Sequence, residues 1–245
     1  MRCVYCRPAE GVELVSHEEI LSLEEIYAAA AIAVEMGIRR IRLTGGEPLL
    51  RKGIVSLVDR LARLPGLDDL SMTTNATRLT ELAPALAAAG LKRVNISLDT
   101  LDPERFSAIT RGGRLEDVLA GITAARDAGL TPIKLNCVVT ASSDEPDARM
   151  VRAFAEQHGY MARFIRKMNL ETGEFWVVEG GTGGDCRHCG RLRLTSRGLV
   201  LPCLFSDLGY KLRELGTREA IEAAVHNKPE SGHCSREHKF YTVGG

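Results

Sequence analysis

Aromatic residues make up only 5% of the 245-residue chain, which holds a single tryptophan. Neither sign of charge prevails, since 32 Lys and Arg stand against 32 Asp and Glu. A chain without positive excess lacks the charge that drives general nucleic-acid binding, and that class is set aside. No apolar run approaches the ~18 residues of a membrane span, so no membrane association is expected. No leader is expected either, because Cys3 and Cys6 sit where its charged and apolar regions would lie. Hydrophobic residues at 44% and charged residues at 26% are ordinary for a globular chain. The class left is a cytoplasmic enzyme, with length for two domains or one domain and an appendage.

What sets the chain apart is its seven cysteines. An odd count and two C-x-x-C pairs speak against a disulfide framework. Cys3-Val-Tyr-Cys6 stands at the N-terminus, and Cys186-Arg-His-Cys189 is followed by Cys203 after thirteen residues. Three thiolates so spaced can hold three corners of a zinc ion or of an iron–sulfur cluster. Cys137 lies inside the apolar run Leu135 to Val139 and reads as a small buried hydrophobe. His188, although close to the cysteines, reads as a solvated loop residue, and Cys234 is given no role.

Between these ends the periodicity alternates. Helical patterns over 23–36, 54–64, 82–89, 115–128 and 147–158 separate strand-like stretches at 39–44, 70–74, 93–98, 132–140 and 161–168. Repeated β-α units predict a parallel sheet with right-handed crossovers. Only about 170 residues carry the repeat, short of the ~250 that a closed eight-unit barrel needs. The expectation is an α/β fold, a partial, open TIM-like barrel with a small C-terminal domain. The boundary is placed near residue 170, giving units 1–170 and 171–245. In the second unit, 173–184 reads as a glycine-rich linker with one short strand at Phe175–Val178. A hairpin over 192–204, a helix over 218–225 and a polar tail follow. The polar residues at the strand ends, Thr44-Gly45-Gly46-Glu47, Thr73-Thr74-Asn75, Ser97-Leu98-Asp99 and Asn136, stand where parallel β/α folds bind ligands.

These motifs resemble a known family. Cys3-Val-Tyr-Cys6 resembles the last two cysteines of the C-x-x-x-C-x-φ-C motif of radical S-adenosylmethionine (SAM) enzymes, and Gly45-Gly46-Glu47-Pro48 their Gly-Gly-Glu segment. Arg42 to Arg51, Thr73 to Asn75, Asn95 to Leu101, Lys134 to Asn136 and Ala162 to Ile165 resemble the molybdenum cofactor protein A family, the GTP 3′,8-cyclases. So do Cys186 to Thr195, Cys203-Leu-Phe, Lys228-Pro229 and the terminal Gly244-Gly245. The resemblance implies two [4Fe-4S] clusters, SAM and the substrate GTP or a related nucleotide. Cys3 and Cys6 match ligands of the radical cluster, and Cys186, Cys189 and Cys203 those of an auxiliary cluster. Tyr5, Gly46, Glu47, Thr73 and Ser97 fall at positions resembling the SAM pocket. Arg40, Arg42, Thr44, Lys134, Arg163, Arg191 and Arg193 fall at positions resembling the GTP pocket, with Arg191 and Arg193 also assigned to catalysis. A donor such as flavodoxin or ferredoxin would supply the electron, and a homodimer is compatible with the pattern.

The physics of the residues runs the same way. Arginine suits bidentate phosphate contact. Alternation sets Arg40 and Arg42 on one strand face, and likewise Arg191 and Arg193. Four departures from the family pattern stand beside this. The first cysteine of the motif would fall two positions before Met1, so a missing N-terminal piece is expected, carrying a strand and an arginine. Gly190 replaces the usual Asn, Arg166 replaces an acid, and the stretch between Met168 and Cys186 is shorter by several dozen residues. A paralogue acting on another nucleotide or on a peptide, and a metal-binding module without catalysis, are the alternatives.

Overall fold

The computed structural model describes residues 1–12 and 15–243, so the terminal Gly244-Gly245 lies outside the described residues. Five strands form one parallel sheet in the order of the sequence: β1 (Arg40–Leu43), β2 (Asp69–Thr74), β3 (Arg93–Ser97), β4 (Lys134–Val139) and β5 (Met161–Arg166). Their outer members do not pair with one another, so the barrel is open. Sequential order with one crossover hand puts the connecting helices on a single side of the sheet. These are α1 (Leu23–Glu35) before β1, then α2 (Ile54–Ala62), α3 (Leu79–Ala88), α4 (Pro103–Thr110), α5 (Leu115–Asp127) and α6 (Pro146–His158).

The two sheet faces differ because alternate residues differ in chemistry. Leu70, Met72, Val94, Ile96, Leu135, Cys137 and Phe164 pack with Leu57, Leu61, Leu86, Val118, Ile122 and Val151 in one buried core. Each such aliphatic side chain contributes about 1.5–3 kcal/mol by leaving water. Cys137 lies in that core as the sequence implied, and burial pushes its thiol pKa up. The residues between, Ser71, Thr73, Asn95, Ser97 and Asn136 among them, carry the polar set.

The second sheet is antiparallel, in the order β6 (Arg193–Leu194), β7 (Leu199–Leu201) and β8 (Tyr210–Lys211). The hairpin is the expected one, and β8 adds a strand to it. A short helix, α7 (Leu212–Leu215), leads into α8 (Thr217–His226). Val200, Leu212, Ala220, Ile221 and Ala224 close on Leu21 and Ala29, so this sheet is anchored on α1.

One sequence expectation needs correction, and two helices go beyond it. Phe175–Val178 is not a strand: the chain there touches its neighbours only through isolated bridges, Phe164 with Glu179 and Asn169 with Glu174. Just beyond it the chain turns against β5 at Gly180, where a Cβ would stand 2.5 Å from the Ala162 carbonyl oxygen and the backbone takes a φ of +74°. The helix α4 was not expected; Asp102 caps it, accepting from the Arg105 N–H, with Pro103 opening the first turn. The polar tail holds a last turn of helix, α9 (Phe240–Val243), which no sequence pattern announced.

Candidate functional site

The Cys3–Cys6 loop is a tight turn in which the N–H groups of Cys6 and Arg7 both donate to the Cys3 carbonyl, each at 3.0 Å. It rests on the end of α4, where Arg2 N–H donates to Thr110 O and Val4 N–H to Ile109 O. Arg111, in a left-handed conformation, then aims one guanidinium nitrogen at the carbonyl oxygens of Arg2, Arg7 and Pro8, at 3.2, 2.9 and 3.3 Å. The Tyr5 hydroxyl donates to Asp99 Oδ2 at 2.7 Å, and Asp99 Oδ1 accepts from the Val138 N–H at 2.8 Å. This pair fixes the loop over the carboxyl ends of β3 and β4. Burial raises the pKa of Asp99 and of the Cys3 and Cys6 thiols.

The strand-end residues gather under this loop. Glu47 holds the β1 loop to β2: its carboxylate accepts from Thr74 Oγ1 (2.7 Å), the Asn75 N–H (2.8 Å) and the Leu49 N–H (3.1 Å). Its role in this geometry is to shape the loop. Gly46 leaves room that a side chain would fill, since a Cβ there would meet Arg7 Nη2 at 2.5 Å. Thr73 accepts from Asn95 at 3.3 Å, and Ser97 stands in register with Asn136.

Below these residues the polar face of the sheet is cationic. Register orders it in layers: Ser97, Asn136 and Arg163; then Thr73, Asn95 and Lys134; then Arg42, Ser71 and Arg93; then Arg40 and Asp69. Thr44 follows directly on β1. Loss of solvation, followed by the cations Arg93, Arg163 and Arg191, holds the pKa of partly exposed Arg42 down at about 10. Desolvation and the same neighbours lower Lys134 and Arg163. The acid facing these cations is Asp69, already engaged by Arg93 in a two-pronged ion pair at 3.1 and 2.5 Å. The Nε of Arg163 and Oδ1 of Asn95 and Asn136 are buried without a partner among the described residues. Such a face is built to take a multiply charged anion with hydrogen-bonding edges.

That arrangement has a thermodynamic consequence. An arginine with a lowered folded-state pKa destabilises the fold wherever it is charged, so the cost is present below pH ~10 and relieved above. A polyanion relieves it at neutral pH. Tripolyphosphate at about a hundred times its dissociation constant should raise the melting temperature by roughly 5–10 °C. The gain should shrink as salt screens the cluster. Thermal melting in a salt series checks this, and a shift below about 1 °C would speak against an anion site.

The C-terminal cysteines lie beside Arg193, whose neighbour Arg191 acts on Arg42 of the cationic face. Cys189 N–H donates to the Cys186 carbonyl at 3.2 Å in a single 3₁₀ turn, Cys186–His188. Arg193, the first residue of β6, is half-buried; lost solvation and then the cation of Arg191 lower its pKa, against the pull of cysteines 189 and 203. Lys228 joins the halves, donating to the Arg191 carbonyl at 2.7 Å and to that of Pro202. Arg191 itself donates to Thr182 Oγ1 at 2.9 Å, and a Cβ on Gly181 would lie 3.4 Å from Arg163 Nε. The glycine-rich loop thus joins the cysteine turn to the cationic face. Among the described residues no three His, Cys, Asp or Glu converge as they would on one ion. A cubane takes each thiolate on a separate iron, and the partly exposed free thiols of Cys3, Cys6, Cys186, Cys189 and Cys203 suit that donor chemistry.

The departures from the family pattern have defined places. The Arg166 guanidinium stacks on the Trp176 ring at 3.8 Å, so the reversed charge is engaged outside the cationic face. Gly190 faces open space. His188 is exposed and bonds Asp185, as expected of a loop histidine. Sequence reasoning missed Arg93 and Asp69. The period of two carried the signal, since Arg93 and Ser97 share one face of β3.

A cysteine turn at the carboxyl mouth of an open parallel barrel, above a Gly-Gly-Glu loop, defines a class: the radical SAM enzymes. The sequence profile of the Radical SAM superfamily matches residues 1–153. The chain belongs, within it, to the GTP 3′,8-cyclase family of molybdenum cofactor biosynthesis. It is 38% identical to the GTP 3′,8-cyclase of Thermodesulfovibrio yellowstonii, covering 100% of this chain and 94% of that one. It is 41% identical to that of Peptoclostridium acidaminophilum, covering 98% and 87%. The first alignment runs over 301 positions against 245 residues here, so several dozen positions have no counterpart in this chain. The AdoMet-bound anSMEcpe structure shares the fold, with a TM-score of 0.63 at 14% identity over 94% of this chain and 77% of that one. SAM-bound SuiB of Streptococcus suis gives 0.57 at 13% identity over 87% and 58%. No helix among the described residues is long and apolar enough to cross a membrane. Family membership removes the non-catalytic alternative.

Proposed function

We propose that the chain joins ribose C3′ of GTP to guanine C8, giving (8S)-3′,8-cyclo-7,8-dihydroguanosine 5′-triphosphate. The observation that carries this reading is the cationic strand face lying between two separate cysteine sets. Cys3 and Cys6 would hold the radical cluster, and Gly46, Thr73 and Ser97 would line the SAM pocket beneath it. Cys186, Cys189 and Cys203 would hold the auxiliary cluster in the 171–245 unit, next to residues 1–170 as the barrel unit. When bound, the radical cluster and SAM supply a carbon-centred radical able to take one hydrogen atom. The protein's own work is placement. Arg42, Lys134 and Arg163 would grip the phosphates, and Arg191 and Arg193 would bridge phosphate and auxiliary cluster. The barrel mouth, closed by Tyr5 and Asp99, would keep water from the reacting carbon. A low-potential donor of flavodoxin or ferredoxin type, a cytoplasmic setting and a homodimer belong to the same reading and rest on the resemblance.

The test is anaerobic incubation of the reconstituted protein with SAM, reductant and one nucleotide at a time. GTP should stimulate 5′-deoxyadenosine release and yield the cyclised triphosphate. Stimulation by another nucleotide or a peptide, and none by GTP, would favour the paralogue.

The Arg111 clamp yields a further expected result. Arg111→Ala should leave the core intact but free the Cys3–Cys6 loop, speeding loss of the radical cluster's iron to a chelator roughly 10- to 100-fold. Release at the wild-type rate would show that the three carbonyl contacts do not position the cysteines.

A further inference from the structure

The proposed nucleotide site contains a cation that neither spacing nor the family pattern singled out. Arg93 opens β3, and its side chain is 16% exposed. Two of its nitrogens are held by Asp69, Nε to Oδ1 at 3.1 Å and Nη2 to Oδ2 at 2.5 Å. The remaining one, Nη1, is buried and has no hydrogen-bond partner among the described residues. A buried, unpartnered guanidinium donor is costly unless something binds it. The ion pair leaves Arg93 little rotational freedom, so that donor is aimed.

Register says where. Arg93 stands level with Ser71, and Ser71 with Arg42. Two residues further along β3 come Asn95 and its neighbour Lys134, and two beyond those come Ser97 and Asn136, with Arg163 beside. At ~3.3 Å per residue each layer is about 6.6 Å deeper than the last, measured from the carboxyl ends of the strands. The Cys3–Cys6 loop closes that carboxyl end, through Tyr5 on Asp99. A ribose that reacts there points its phosphates down the strands, with the outermost one deepest.

We propose that Arg93, aimed by Asp69, binds the outermost phosphate of the nucleotide and sets the preference for a triphosphate over a diphosphate. Arg42 flanks it on the same layer. This inference rests on the reading that the cationic face takes a nucleotide's phosphates, and it assigns the part of the site which tells how many there are. A diphosphate would end at the Lys134 layer and leave Arg93 unused.

The experiment measures binding of GTP, GDP and tripolyphosphate to the cluster-loaded protein by anaerobic calorimetry, for wild type, Arg93→Gln, Arg93→Lys and Asp69→Asn. Arg93→Gln should lose roughly ten- to a hundredfold in GTP affinity and keep GDP affinity, so the ratio between them collapses. Arg93→Lys keeps charge without the fork and should fall between. Asp69→Asn releases the aim without removing the cation and should also lower the ratio, which keeps the question open to measurement if Arg93→Gln folds poorly. A structural role alone would weaken GTP and GDP equally, and an unchanged ratio in the variants overturns the proposal. If wild type ignores guanine nucleotides yet binds tripolyphosphate in an Arg93-dependent way, the cyclase reading falls and the Arg93 assignment stands. If GTP binds without Arg93 dependence, the cyclase reading stands and the Arg93 assignment falls.

Discussion

Replacing any one of Cys186, Cys189 or Cys203 with Ala should remove roughly half of the reconstituted iron and leave SAM cleavage in place. Replacing Cys3 or Cys6 should also remove about half the iron, but should abolish that cleavage. The asymmetry follows from the layout. The first pair sits on the Arg111 clamp at the carboxyl mouth of the barrel, where Arg7 lies against Gly46. The second set sits on the hairpin side, where Arg193 lies next to Cys189 and Cys203 and Lys228 ties the strands that carry them. Iron assays with SAM turnover on the five variants would check it. A single cluster shared by all five cysteines would instead lose iron and cleavage together in every variant.

Arg193→Ala should weaken GTP binding by roughly ten- to a hundredfold, as expected for one charge-assisted contact of about 1.5–3 kcal/mol at ~1.4 kcal/mol per decade. Arg191→Ala should lose less, because the Arg191 guanidinium is exposed and already shared with Thr182. The two lie close enough for each cation to oppose the other, which burial and Arg191 together express as a lowered Arg193 pKa. The double variant should therefore be non-additive, as neighbours on one ligand are. Cleavage of SAM without nucleotide should persist in both. Calorimetry with GTP decides it, and wild-type affinity in both single variants would remove these arginines from the site.

How much of this could be read before the structure depended on how local the signal was. The five strands and their helices stood out because β1 to β5 keep a period of two, while α1 and α5 keep helical spacing. The inner face was half legible. The period of two sets Arg40 and Arg42 on one face, and the same rule sets Arg93 and Asn95 beside Ser97, which the sequence marks only by its place at a strand end and by resemblance. Ligand residues were sought at strand ends, and Arg93 lies at a strand beginning. The helix α4 escaped because it is only eight residues long and buries just Phe106 and Thr110, too short a run for helical spacing to show. Phe175–Val178 misled in the opposite way. Its apolar run reads as a strand, yet the glycines beyond it bend the chain into contact with β5. The Tyr5–Asp99 bond joins residues 94 apart in sequence, which no spacing argument reaches. Arg111 acts through its own left-handed backbone and three loop carbonyls, again invisible to pattern.

The central claim is that this barrel presents ribose C3′ of GTP to the radical chemistry at its mouth. The direct measurement is isotope transfer, using GTP with deuterium at C3′, SAM and reductant with the cluster-loaded protein. The account predicts 5′-deoxyadenosine carrying one deuterium, formed in step with the cyclised product and lost in Arg193→Ala at subsaturating GTP. Cyclised product from C3′-deuterated GTP formed with only unlabelled 5′-deoxyadenosine would contradict it.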